Sequence, residues 1–163
     1  VFQKRDLELL GIKDENPEKE KMDILDKIWS MYEICGVSML DISVWKWMYA
    51  HPNATAGELQ EAVIRLSKEI WKYYAPVFGV KDETVLAIYS HMIGYPLYLS
   101  AYAFGQIIEF QLENYLNGKD FANEVSRIFK QGRLTPNVWI KQATGNDLTV
   151  DPMLEALRKV LKD

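Results

Sequence analysis

Histidine and cysteine are nearly missing from this chain. Its 163 residues hold two histidines, His51 and His91, and one cysteine, Cys35. A single cysteine excludes an internal disulfide and a cysteine-rich zinc site. A lone thiol suits a reducing compartment, so a cytoplasmic location is expected. The two histidines stand forty residues apart and neither has a second histidine four residues on, so the H-E-x-x-H zinc motif is absent. A basic excess is also lacking. Nineteen Lys and Arg face twenty-three Asp and Glu, for a net charge of −4, which argues against a nucleic-acid surface. Lys119, Arg127, Lys130 and Arg133 cluster, but Asp120 and Glu124 dilute them, so a solvated helix face is expected there. There is no phosphate loop, dinucleotide fingerprint, Ser-His-Asp spacing or calcium loop. Val1 to Arg5 is charged and no apolar core follows, so no secretory leader is expected.

Charge itself is missing from one long stretch. No Asp, Glu, Lys or Arg occurs in residues 84–108, although 26% of the chain is charged. The stretch holds His91, four tyrosines, two glycines, Pro96 and two serines. Its length would suit a membrane span of ~20 residues. Gly94 and Pro96 break it, however, its tyrosines are spread rather than gathered at two interfaces, and no positive flank adjoins it. No membrane partner is expected.

What is present is helical periodicity. Asn16-Pro17 reads as an N-cap followed by Pro at the first helical position. Met22, Leu25, Ile28, Trp29, Tyr32, Cys35 and Met39 then recur at three-four spacing, predicting a helix to about Ala50. Its second half is apolar nearly all round, so it should lie deep. His51-Pro52-Asn53 ends it. Thr55 and Glu58 form a capping box before a second helix, closed by Pro76 and Gly79. A short helix from Glu83 to about His91 is expected next. After the Gly94-Pro96 break, a long helix to Asn117 is expected, with Gly118 as its C-terminal cap. Further helices fit residues 120–131, 136–143 and 152–162. No alternating β pattern, repeat or low-complexity tract appears, and the linkers are short. The reading is one all-α, multi-helix domain over residues 1–163.

Two stripes are expected on the uncharged segment. Leu97, Ala101, Phe104, Ile108 and Leu112 form an oily core face. His91, Tyr95, Tyr98 and Tyr102 form a second, phenolic line. Tyrosine offers an apolar body and a hydroxyl that needs a partner when buried. Such a line can wall a cleft for an extended peptide, or donate to a carbonyl becoming an oxyanion. The same pattern also fits tyrosines at a core rim with water on their hydroxyls. Among the remaining polar residues, His51 reads as a solvated turn histidine and Cys35 as an inert buried thiol. Asp41, inside an apolar run, and Glu109 are expected to be solvated or salt-bridged.

The run His91 to Gly105, H-M-I-G-Y-P-L-Y-L-S-A-Y-A-F-G, resembles a segment of the oligoendopeptidase F and thimet oligopeptidase family of zinc metallopeptidases. Upstream, V-W-K-W-M-Y at Val44–Tyr49, T-A-G-E-L at Thr55–Leu59 and the aromatics of Ile70–Tyr74 are similar to that family's preceding helical pair. Downstream, Leu116-Asn117-Gly118, the Phe129–Gly132 turn, Pro136 and G-N-D-L-T at Gly145–Thr149 are similar to its closing helices. The resemblance implies an all-α fold like the C-terminal helical part of a zincin-type oligopeptidase. It implies that His91 contacts substrate near the scissile bond, that Tyr102 stabilises the tetrahedral intermediate, and that Tyr95, Tyr98 and Gly94 line the substrate cleft. It implies zinc-assisted peptide hydrolysis of an oligopeptide substrate.

The chain departs from that family in lacking its zinc motif and the later glutamate ligand. No metal site and no cofactor are expected in this chain, which alone is expected to be inactive. Zinc is expected in the complete enzyme. In register, Val1 falls just after the family's third ligand, so the chain is expected to be the substrate-side part of a larger catalytic domain. Its partner would be the missing N-terminal zinc-binding part, or a second chain carrying it. Two other readings stay open: a non-catalytic helical module that binds peptide or protein, and a structural piece whose aromatic face is an interface.

Overall fold

The computed structural model describes residue 11, residues 16–88 and residues 90–162. Among them there are helices and no strands. In chain order these are α1 (Pro17–Ala50), α2 (Ala56–Trp71), α3 (Ala75–Phe78), a 3₁₀ segment (Glu83–Ile88), α4 (His91–Gly94), α5 (Ser100–Leu116), α6 (Phe121–Phe129), α7 (Pro136–Thr144) and α8 (Asp151–Val160). The all-α expectation is met. No helix of the described residues is long and apolar enough to cross a membrane.

The helix starts follow their local chemistry. The Asn16 side chain accepts the Glu18 N–H at 3.0 Å, one residue before Pro17. Thr55 and Glu58 close the reciprocal capping box: Thr55 N–H donates to Glu58 Oε2 at 2.8 Å and Glu58 N–H donates to Thr55 Oγ1 at 3.3 Å. Asp120 accepts the Asn123 N–H and starts α6. At the other ends, Gly79, Gly118 and Gly145 take left-handed φ values that other residues resist.

α1 is the spine. At 34 residues it spans about 51 Å, and α2, α5, α8 and the 3₁₀ segment all pack on it. The main core forms around its second half. Val37, Leu40 and Val44 meet Ile70, Trp71 and Tyr74 of the α2–α3 region, Leu86 and Leu99. A smaller cluster joins Leu116, Ile128 and Ala143 where α5, α6 and α7 meet. Between the two, Gln111 is buried and bridges α5 to the loop before α8. Its amide donates to the Asp147 carbonyl at 2.9 Å and accepts the Thr149 N–H at 3.1 Å.

One contact limits how close α1 and α3 can come. A Cβ placed on Gly36 would lie 2.7 Å from the Tyr74 ring, so the glycine is required by approach rather than by backbone angle. The Tyr74 hydroxyl donates to the Tyr32 carbonyl at 2.7 Å, and the two rings stack with centroids 4.7 Å apart. Burial pushes the Tyr74 phenol up to about 12. Glu109 pairs with Lys27 at 2.7 Å, tying α5 to the first half of α1 as a salt bridge.

Candidate functional site

The site begins where the helical path breaks. α4 is a single turn, closed by the Tyr95 N–H on the His91 carbonyl at 2.8 Å. Pro96 cannot donate to a continuing helix. Leu97 then takes a φ of 63°, alone among the described non-glycine residues. Its N–H donates to Asp41 Oδ2 on α1 at 2.7 Å. Leu99 drops into the core at 1% exposure. Ser100 opens α5 with its hydroxyl on the Leu97 carbonyl at 3.1 Å. The expected long helix to Asn117 therefore starts at Ser100. The expected Glu83–His91 helix divides into the 3₁₀ segment and α4.

These turns bring His91, Tyr95, Tyr98 and Tyr102 into one ladder. Successive ring centroids are 6.0, 6.3 and 5.4 Å apart, and the last pair meets edge to face at 82°. Such spacings lie within the favourable range for aromatic pairs. The tyrosines are open to solvent, with Tyr95 66% exposed and Tyr102 47% exposed. Gly94 has open space where a Cβ would stand. This differs from the structural tyrosines. Tyr32 donates to the Tyr73 carbonyl, Tyr74 to the Tyr32 carbonyl and Tyr115 to Glu124. A hydrogen bond with Tyr98 and its nearby charge push the Tyr102 phenol up from its ordinary value.

The oily stripe on the other side of α5 is not the core face expected of it. Leu97 and Phe104 are 43% and 40% exposed, and Ala101 is exposed too. Only Ile108 and Leu112, further along, are half-buried. The residues α5 does bury are Phe110, Gln111 and Leu116. The first two turns of α5 and the segment before them therefore present bare aromatic and aliphatic surface, with Ile93 at 89% exposure beside them.

Asp41 also departs from expectation. It is 1% exposed and neither solvated nor salt-bridged. One oxygen holds the Leu97 N–H and the other, Oδ1, has no hydrogen-bond partner among the described residues. Burial pushes its carboxyl up, and the Leu97 N–H pulls it partly back. The sequence signal for this was one carboxylate in an apolar run.

His51 is exposed, as expected of a turn histidine. Its Nδ1 lies 2.8 Å from the Trp47 carbonyl and its ring stacks on Trp47 at 4.3 Å. An open hollow of about 570 Å³ lies there, lined by Trp47, His51, Glu61 and Arg65 and by Glu58, which is committed to its cap. Cys35 is half-buried and its thiol is pushed up by burial, which fits an unreactive sulfur. Arg127 is more tied than a solvated face implies. It pairs with Glu124 and donates to the Ala143 carbonyl at 2.6 Å.

Among the described residues no three His, Cys, Asp or Glu side chains converge to hold a metal ion. The donors of the described residues do not fit a zinc centre. Compared with protein-family models, curated proteins and solved structures, the chain matches none of them.

Proposed function

We propose that the His91–Tyr102 ladder is the substrate-facing wall of a zinc-dependent oligopeptidase, within a chain that does not carry the zinc-binding part. The observation that carries this reading is the ladder itself. Four aromatic side chains in successive contact stand on a segment without charge, and the tyrosines are open to solvent. A peptide in extended conformation exposes carbonyls and apolar side chains, and phenols answer both. Tyr95 and Tyr98, with the open space at Gly94, hold the chain. His91 and Tyr102 stand at the scissile carbonyl, where a protonated Tyr102 hydroxyl donates to the oxyanion. The metal and the general base belong to a complementary part, in the same polypeptide or a second one, in a cytoplasmic setting.

In the complete enzyme, Tyr102→Phe is expected to lower kcat by roughly 10²–10³ with little change in KM, the usual loss of an oxyanion donor. An unchanged kcat removes Tyr102 from the chemistry. The chain alone is expected to bind an extended peptide with a Kd of micromolar order or weaker, equally with and without a chelator. Binding in the chain, with no zinc-bearing polypeptide in the native source, would favour the second reading, a non-catalytic peptide-binding module.

A further inference from the structure

Two unfavourable features of this fold meet at one hydrogen bond. The first is a buried carboxylate. Asp41 is 1% exposed, and its Oδ1 has no hydrogen-bond partner among the described residues. A buried charge is destabilising unless it is well paired. The second is a left-handed leucine. Leu97 has a φ of 63°, a region that non-glycine residues resist because Cβ approaches the following carbonyl. The bond between them, Leu97 N–H to Asp41 Oδ2 at 2.7 Å, spans a sequence separation of 56 residues. That length is short for an N–H donating to an oxygen, so the acceptor is closely seated.

We propose that Asp41 is a positioning residue: it clamps Leu97 in its left-handed turn and so sets the register of the aromatic ladder. Leu97 lies between the ladder's two supports. His91 and Tyr95 sit on and just after α4, and Tyr102 sits in the first turn of α5. Tyr98 follows Leu97 directly, with its N–H on the Tyr95 carbonyl at 3.2 Å. The far side of the turn is fixed by Leu99 in the core and by the Ser100 hydroxyl on the Leu97 carbonyl. The near side is fixed by Asp41. Without that acceptor, Leu97 relaxes to an ordinary φ, and Tyr98 swings away from Tyr95 while α5 stays in place. The clamp concerns the ladder's geometry. Its relevance to peptide binding rests on the reading proposed above.

The test compares Asp41→Leu, Asp41→Asn and the double variant Asp41→Leu/Leu97→Gly in the full chain by NMR. The ladder is followed through ring-to-ring contacts of Tyr95, Tyr98 and Tyr102. The Leu116 and Ile128 methyls, in the separate cluster, report folding. Asp41→Leu is expected to lose the Tyr95–Tyr98 contact with those methyls unmoved. Glycine accepts the left-handed region, so the double variant is expected to regain the contact. A ladder unchanged in Asp41→Leu, or not regained in the double variant, overturns the clamp. If Asp41→Leu does not fold, Asp41→Asn decides. It keeps an acceptor oxygen without charge, so Leu97 amide exchange is expected to quicken about tenfold while the ladder persists. Unchanged exchange overturns the clamp. A blocked alanine-rich hexapeptide, titrated into the wild-type chain, tests the peptide reading separately. No binding with a responsive ladder sinks that reading and leaves the clamp standing.

Discussion

At the scale of single residues, glycine and aspartate are under opposite demands. Gly36 must be small, because a methyl group there would stand 2.7 Å from Cζ of Tyr74 and 3.0 Å from its hydroxyl. Gly36→Ala is expected to cost about 1–3 kcal/mol, the usual range for overpacking, as read from the urea midpoint. Combining it with Tyr74→Leu should recover part of that loss, and a plain sum of the two penalties would show that the ring is not the obstacle. Asp41 must present an acceptor to Leu97 where charge is disfavoured. Its native pKa lies above the ordinary aspartate value because burial outweighs the Leu97 N–H. The folded state therefore binds the proton more tightly than the unfolded one. The stabilising contribution is complete below the ordinary value and is lost as pH rises through the native one. The stability of wild type minus that of Asp41→Asn should therefore fall as pH rises through that window. A difference that rises instead would mean that the Leu97 bond dominates. Neither demand was legible in sequence. Gly36 and Asp41 both sit in an apolar helical run, and periodicity does not tell which position meets a ring or an amide from far along the chain.

At the scale of elements, the legible parts were those written in neighbouring residues. Asn16-Pro17, Thr55–Glu58 and Gly118 mark helix ends where the structure has them, because a cap is made by side chains within reach of their own backbone. Thr55→Ala is expected to cost about 1 kcal/mol and to lower thermal stability, while Thr55→Ser should be nearly silent. Equal losses in the two would assign the effect to the Thr55 methyl rather than to the cap. The 3₁₀ segment at Glu83–Ile88 was not legible, since three- and four-residue spacings cannot be told apart over so short a run. The ladder's spacing was legible and its exposure was not. The same spacing promised a buried stripe at Leu97, Ala101 and Phe104, and these three stay exposed. A stripe is a statement about one helix, and burial requires a second element.

At the scale of the whole molecule, many large apolar side chains of the described residues remain at the surface. Trp29, Tyr49, Tyr73, Ile93, Tyr95 and Phe129 are among the large side chains that stand in it. Burial is unevenly distributed along the chain. It also divides α1. The fully buried residues of this helix run from Gly36 to Val44, and from Pro17 to Cys35 there is none. The first half is held sideways, by Lys27 on Glu109, by the Tyr32 hydroxyl and by Trp29 against Phe78. One continuous helix thus joins a half with buried residues to a half without them, and the outer half is expected to open first. Trypsin under native conditions should then cut α1 after Lys19 or Lys21 well before Lys46, leaving the core half protected. Simultaneous loss of all three sites would show a single cooperative rod. If trypsin cuts in that order, the spine behaves as a fixed post carrying a hinged arm, whose release breaks the Lys27–Glu109 pair and so reaches α5, the helix that carries Tyr102.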